Sequence, residues 1–259
     1  MKKLKILVLA SESESTNILY NSLNSEFQII KVIIETHSFH RWGKYWLNRI
    51  KKIGIFHVFG QILFLLMIAP IIKSFSKQQI IRIKGRYHLN SLKIEESKIN
   101  RVHDINSNYV IETIKSSEPD IVIINGTSIL SDHLIKSAGV PIINIHAGIT
   151  PLYRGVHGAY WALTQKNPEQ CGVTVHFVDS GIDTGNIIEQ GVISPSYCDN
   201  YSTYPYLQLG LGIQLLKQAL NQMIKSPIKI KPNPTNESKC WSHPTIWGYF
   251  ENWIKWNVR

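Results

Sequence analysis

The sequence predicts an α/β fold: a Rossmann-like, mostly parallel sheet with helices on both faces, followed by a short aromatic-rich C-terminal extension. Three observations lead there. Lys5 to Ala10 and Asp120 to Ile124 are short apolar runs, the pattern of strands buried on both faces. Stretches of helical period lie between and after such runs, with Ser11 to Leu23 and Tyr201 to Ile224 the clearest. The 259 residues, 44% hydrophobic and only 18% charged, suffice for a domain with its own core and are too apolar for disorder.

Taken in order, Lys5 to Ala10 is the first strand, and Ser11 to Ser15 offers several helix caps before the first helix. A second strand at Ile29 to Ile34 completes a β-α-β opening, which places ligands outside the C-terminal ends of the strands. Residues from about 40 to 90 read as a basic helical insertion. A short strand near Arg101, a helix from Ser107 to Ser116 and the strand Asp120 to Ile124 follow. Asn125-Gly126 then turns the chain, as in many strand-to-helix connections. Gly139-Val140-Pro141 leads into a central strand, and Ala147 to Gly155 is a loop punctuated by Pro151 and Gly155. After it come a helix at about His157 to Gln165, strands at Gly172 to Val178 and Ile187 to Ile193, and the long helix. Pro227, Pro232 and Pro234 end regular structure, so residues 1–226 form the main domain and 227–259 the extension.

Asn144 and His146 are two residues apart on the central strand, so an amide and an imidazole face one side. Asp183 sits in Gly-Ile-Asp-Thr-Gly, where glycines allow a sharp turn and close approach of a ligand. Each has a bland competitor: a strand-end asparagine, a core histidine, an aspartate bonding its own turn. The ordered set is far more specific. NIH, then PLYRG, then GVTVHFVDSGIDTG resembles the folate-dependent formyltransferases, from about Asp120 to Gly191. The resemblance implies the formyltransferase fold, N10-formyltetrahydrofolate as formyl donor, and neither a metal nor a covalent enzyme intermediate. It implies that Asn144 stabilises an oxyanion, that His146 moves a proton and that Asp183 supports or accepts it. It further implies a folate pocket from Asn125, Gly126, Thr127, Ile129, Leu130, Val178, Gly181 and Ile182. Arg154, Gly155 and His157 are the expected acceptor-binding residues, while His176, inside a strand, reads as structural.

The family's acceptors divide into three classes. After the first strand this chain has Ala10-Ser11-Glu12-Ser13-Glu14, two carboxylates where purine-synthesis members carry a Gly-rich phosphate loop. The stretch after Ser226 is shorter than the β-barrel that methionyl-tRNA members add. The remaining class, acting on a nucleotide-linked amino sugar for surface polysaccharide, is the expected one. Another amine, a formyltetrahydrofolate hydrolase and a catalytically silent folate-binding module are the alternatives.

Net charge is +10, and residues 40–87 hold ten Lys/Arg and no Asp or Glu, so this segment carries the whole excess. Such a block attracts phosphates, RNA or an anionic membrane surface, with a solvated helical face as the competing reading. No RNA-binding module is legible, so no nucleic-acid partner is expected. Within the segment, Ile53 to Ile72 is strongly apolar. Its uninterrupted part, Ile62 to Ile72, contains Pro70 and falls short of the about 20 residues a spanning helix needs. A buried or interfacial helix is expected, with weak membrane-surface association through flanking Lys51, Lys52, Lys73 and Lys77. Trp241, Trp247, Tyr249, Phe250, Trp253 and Trp256 could stack a nucleotide base, pack the tail or form a homodimer contact. Cys171, Cys198 and Cys240 form neither a disulfide framework nor a metal-ligand spacing, and Ile6 to Ala10 is too short for a signal sequence. Both point to the cytoplasm.

Overall fold

The computed structural model describes residues 3–36, 39–226, 228–233 and 235–259. The side chains of Arg41 and Lys44, counted above in the basic block, and Pro227 and Pro234, expected to end regular structure, lie outside the described residues. The chain opens as β1 (Lys5–Ser11), α1 (Glu14–Asn24) and β2 (Gln28–Glu35). The insertion follows as α2 (Phe39–Ile53), α3 (Ile55–Leu63), a π-helical turn (Phe64–Ile68), α4 (Ala69–Phe75) and α5 (Lys77–Tyr87). Then come β3 (Ile99–Val102), α6 (Asn108–Ser117), β4 (Ile121–Asn125), α7 (Asp132–Ala138), β5 (Ile142–His146) and the two-residue β6 (Arg154–Gly155). The chain ends with α8 (Gly158–Thr164), β7 (Gly172–Phe177), β8 (Ile187–Val192), α9 (Tyr204–Lys225), β9 (Cys240–Trp241) and α10 (Ile246–Trp256).

Seven strands form one sheet in the order β3-β2-β1-β4-β5-β7-β8. The first five are parallel, while β7 runs antiparallel to both β5 and β8. Alternation within β1 assigns its side chains to two cores. Ile6, Val8 and Ala10 join α1 and α9 on one face, and Leu7 and Leu9 join α6 and α7 on the other. Chain order reverses between β1 and β4, the switch point at which an open α/β sheet leaves a crevice. There Asn125 donates to Ser15 Oγ (3.0 Å) and Thr16 Oγ1 (2.9 Å), tying the two strand ends together.

A third core joins the insertion to the C-terminal extension. Phe64, fully buried, meets Tyr201 edge-on with ring centroids 4.9 Å apart and Tyr249 at 5.0 Å. Gln61 is buried too: it accepts from Arg49 and donates to the His243 carbonyl at 2.6 Å. Trp241 stacks on Trp161, with centroids 4.7 Å apart, and the Trp247 indole lies where a Cβ on Gly60 would be. Trp241 and Tyr249 are therefore consumed in packing, while Trp247, Phe250, Trp253 and Trp256 remain partly exposed.

Pro70 does not break the apolar segment. It enters α4 within the first turn, where its missing N–H costs little, directly after the π turn. The helix consequently runs unbroken over Ile55–Phe75, 21 residues, longer than the sequence suggested. Phe64→Ala should destabilise the protein by about 3–5 kcal/mol, measured by urea unfolding, because its ring is the contact that clamps this helix to the body.

Candidate active site

The C-terminal ends of β4 and β5 and the loop after β7 meet at one carboxylate. Asp183 adopts a left-handed backbone (φ 52°), in a loop that Asp179 shapes by accepting from the Gly181 N–H (3.1 Å) and the Thr184 hydroxyl (2.6 Å). Gly185 is required there, since a Cβ would sit 1.8 Å from the Phe177 carbonyl oxygen. The Gly155 N–H donates to Asp183 Oδ2 at 3.0 Å, and His146 Nδ1 lies 3.3 Å from the same oxygen. Asn144 Nδ2 is 3.4 Å from Asp183 Oδ1 and 3.4 Å from His176 Nε2. The Asn144, His146 and Asp183 expected from sequence are thus brought together.

His146 is buried, and its Nε2–H donates to the Tyr153 carbonyl at 2.7 Å. A carbonyl can only accept, so Nε2 keeps its proton and any proton the ring gains or gives passes through Nδ1, beside Asp183. A Cβ on Gly148 would lie 2.1 Å from that carbonyl oxygen and 2.8 Å from Nε2, so only glycine lets the loop wrap the ring. Burial pushes the His146 pKa down; Asp183 and the Tyr153 carbonyl oppose this without overcoming it. Desolvation outweighs the attraction of the neighbouring carboxylate. For Asp183, burial pushes upward, but the His176 ring, the charge His146 carries once protonated and the Gly155 N–H together hold the carboxyl at about 2.

Two chambers flank this cluster and share Ile145 and Ala147 in their walls. The first, about 360 Å³, is lined by Gly126, Thr127, Ile129, Leu130, Val178, Gly181 and Ile182, with Asn144, His146 and Asp183 on its wall. Its rim loop is held from below by buried Glu35, which accepts from the Ser128 N–H at 2.8 Å. Of the residues expected in a folate pocket, Asn125 alone lies elsewhere. Its amide, pinned to Ser15 and Thr16, lines the second chamber, about 580 Å³, at the sheet switch point.

His157 also lines that second chamber. Its ring stacks on Tyr201 with centroids 4.1 Å apart, and its Nε2 lies 3.1 Å from His243 Nδ1. Burial, with His243 beside it, pushes His157 down to about 3. Gly155 borders the first chamber and serves Asp183 through its N–H. Arg154 lines neither chamber; its Nη1 donates to the Ile182 carbonyl at 2.8 Å and straps the Asp183 loop in place.

His176, read from sequence as structural, belongs to the cluster: Asn144 pairs with it across β5 and β7. Its Nδ1–H donates to the Phe177 carbonyl at 2.7 Å, leaving Nε2 to accept from Asn144. The signal was the antiparallel pairing of the two strands, which residue spacing alone does not display.

An amide, an imidazole and a carboxylate are thus gathered on the wall of one chamber, beside a second. Residues 75–201, just under half of the chain and the span that carries the whole cluster, match the family model described as formyl transferase. A methionyl-tRNA formyltransferase of Chlorobium chlorochromatii is 32% identical over 92 residues, 36% of this chain and 29% of that protein. A mitochondrial formyltetrahydrofolate deformylase of Arabidopsis thaliana is 29% identical over 165 residues, 63% of this chain and 48% of that protein. The chain spans less than half the length of these curated relatives. A 4-N formyltransferase from Francisella tularensis shares the fold, with TM-score 0.55 and 17% identity, over 91% of this chain and 75% of that one.

The site makes the protein acid-labile. His157 and His243, at about 3 and about 4, take up protons in the unfolded chain below about pH 6.5 before they do so in the folded one, so stability falls as pH drops from there. Asp183, held at about 2 instead of 3.8, adds about 2 kcal/mol above pH 4 that is lost on descent towards pH 2. Urea unfolding followed against pH should show both losses, and Asp183→Asn should flatten only the lower one.

Proposed function

We propose that the protein transfers a formyl group from N10-formyltetrahydrofolate to the amine of a nucleotide-linked amino sugar, in the assembly of a surface polysaccharide. The observation that carries the reading is the Asn144–His146–Asp183 cluster, open to one chamber and bordering a second through Ile145 and Ala147. The smaller chamber fits the donor. Ile124, Ile129, Leu130, Val178 and Ile182 offer apolar walls for a flat ring, and the turns at 126–128 and 181–182 offer backbone N–H and C=O groups for its polar edge. When bound there, the donor supplies a formyl carbon attached to nitrogen and open to attack by an amine.

The chain's own residues do the rest. Asn144 donates an N–H to the negative charge that gathers on the formyl oxygen. Both of its present contacts are at the limit of hydrogen bonding, so this donor is only lightly engaged. His146 Nδ1 accepts the proton that the amine loses as its bond to the formyl carbon forms and returns it to the folate nitrogen as the old C–N bond breaks, while Asp183, 3.3 Å away, stabilises the imidazolium in between. A His146 that rests neutral is a base ready to accept.

The larger chamber suits the acceptor. Ser15, Tyr201, Ser202, Tyr206 and Gln208 are hydrogen-bonding groups matched to sugar hydroxyls, and Leu65, Val173 and Leu209 supply apolar surface. Glu14 stands in its wall, bonded by Lys84 and the Tyr206 hydroxyl, where a phosphate-cradling turn would place backbone N–H groups. That carboxylate disfavours a phosphate at the β1 turn, and Lys73, also in the lining, is the cation available to one. The similarity to a deformylase keeps water as the second candidate acceptor. A chamber of about 580 Å³ beside the cluster favours an amine-bearing molecule.

Tetrahydrofolate release from N10-formyltetrahydrofolate, assayed against a panel of nucleotide-linked amino sugars, tests this directly. Release should depend on one sugar. His146→Ala and Asn144→Ala should each lower kcat about 10²–10⁴-fold with folate binding retained. Release in the absence of any amine would establish the hydrolase instead, and silence across the panel would overturn the sugar assignment.

A further inference from the structure

We infer that the helix Ile55–Phe75 is a membrane-docking element that lies in the plane of an anionic bilayer. Its two faces differ sharply. Val58, Gly60, Gln61 and Phe64 are buried against α10 and the tail. The opposite face leaves Phe56 79%, Leu66 72% and Phe75 88% exposed, with Ile55, Phe59, Met67 and Ile71 each more than half exposed beside them. A run of large apolar groups along about 30 Å of helix exceeds what a solvated surface ordinarily carries.

The occupant follows from charge. Lys51 and Lys52 precede the exposed face, Lys73 lies near its C-terminal end, Lys77 and Arg82 follow it, and residues 40–87 contain no Asp or Glu. An apolar ridge between lysines is the pattern of an interfacial helix on anionic lipid, where each cation contributes about 1 kcal/mol. A second copy of the chain is a poorer partner. A symmetric contact would set these lysines against their own copies with no acidic residue on the segment to receive them. Spanning is excluded by the packing, because the buried face, with Gln61 bonded to Arg49 and the His243 carbonyl, is held in the protein interior.

The docking face is continuous with the larger chamber. Leu65, Ala69, Pro70 and Lys73 of this helix form part of its wall. Docking therefore sets that chamber beside the headgroup layer, and an acceptor presented at a bilayer surface reaches it without crossing bulk water. This inference stands on the helix itself and holds whichever amine is formylated.

Co-sedimentation with vesicles of phosphatidylcholine and phosphatidylglycerol tests it, with pure phosphatidylcholine vesicles as control. The protein should bind the anionic vesicles, less so as salt is raised. A triple variant, Phe56→Ser, Leu66→Ser and Phe75→Ser, should lose binding by at least about tenfold while its unfolding midpoint and folate binding in vesicle-free buffer stay unchanged. Lys51→Glu with Lys52→Glu should weaken binding by about fivefold or more for each charge. Equal indifference to both vesicle types would overturn the proposal. So would a dimer, seen by light scattering, that dissociates in the triple variant while vesicles are ignored, which would make a second copy the occupant.

Discussion

The buried carboxylate of Asp183 is the constraint to which the rest of the structure answers. A carboxylate taken out of water must be met by donors and positive charge, or it takes up a proton. Here its partners come from three separate parts of the chain: the Gly155 N–H, Asn144 and His146 on β5, and His176 on β7. Meeting them fixes the spacing of the two strands, the path of the loop from Ala147 to Gly155 and the left-handed turn at Asp183 itself. Glycine appears where backbone must approach backbone closely enough to do this, at Gly148, Gly155 and Gly185. The arrangement that carries the proposed chemistry and the one that solvates a buried charge are the same set of contacts.

Much of this was legible in the sequence. Lys5–Ala10 and Asp120–Ile124 announce buried parallel strands because a strand covered on both faces has no polar positions to alternate with. Asn144 and His146 could be assigned to one side of a strand by counting. What could not be read there depends on pairing and solvation. His176 enters the cluster because β7 lies antiparallel to β5 in one register, and no local pattern states that register. The balance at His146 turned on how deeply the ring is buried, which is a property of the assembled core. Arg154 looked like an anion binder by residue type, and its strap to the Ile182 carbonyl depends on a loop that lies distant in sequence. The length of the apolar helix was underestimated because proline is usually a stop. A π turn just before it supplies the start of a new helical segment that proline can enter.

The insertion between β2 and β3 is more than an ornament on the sheet. Phe64 and Gln61 anchor it to the tail, and Leu65, Ala69, Pro70 and Lys73 turn its inner face into chamber wall. The strands thus position the Asn144–His146–Asp183 cluster, while a segment rich in lysine and large aliphatics forms part of the wall of the neighbouring chamber.

The short ladder of β6 with β9 has a consequence for the order of assembly. Arg154 and Gly155 pair with Cys240 and Trp241, the Arg154 N–H donates to the Lys239 carbonyl and the Val156 N–H to that of Trp241. The residue whose N–H reaches Asp183 is therefore held in place by chain that is synthesised long after it. Bringing such distant segments together carries the entropy of closing a large loop, which sheet strands adjacent in sequence do not face. The site is complete only when the tail lies across β6.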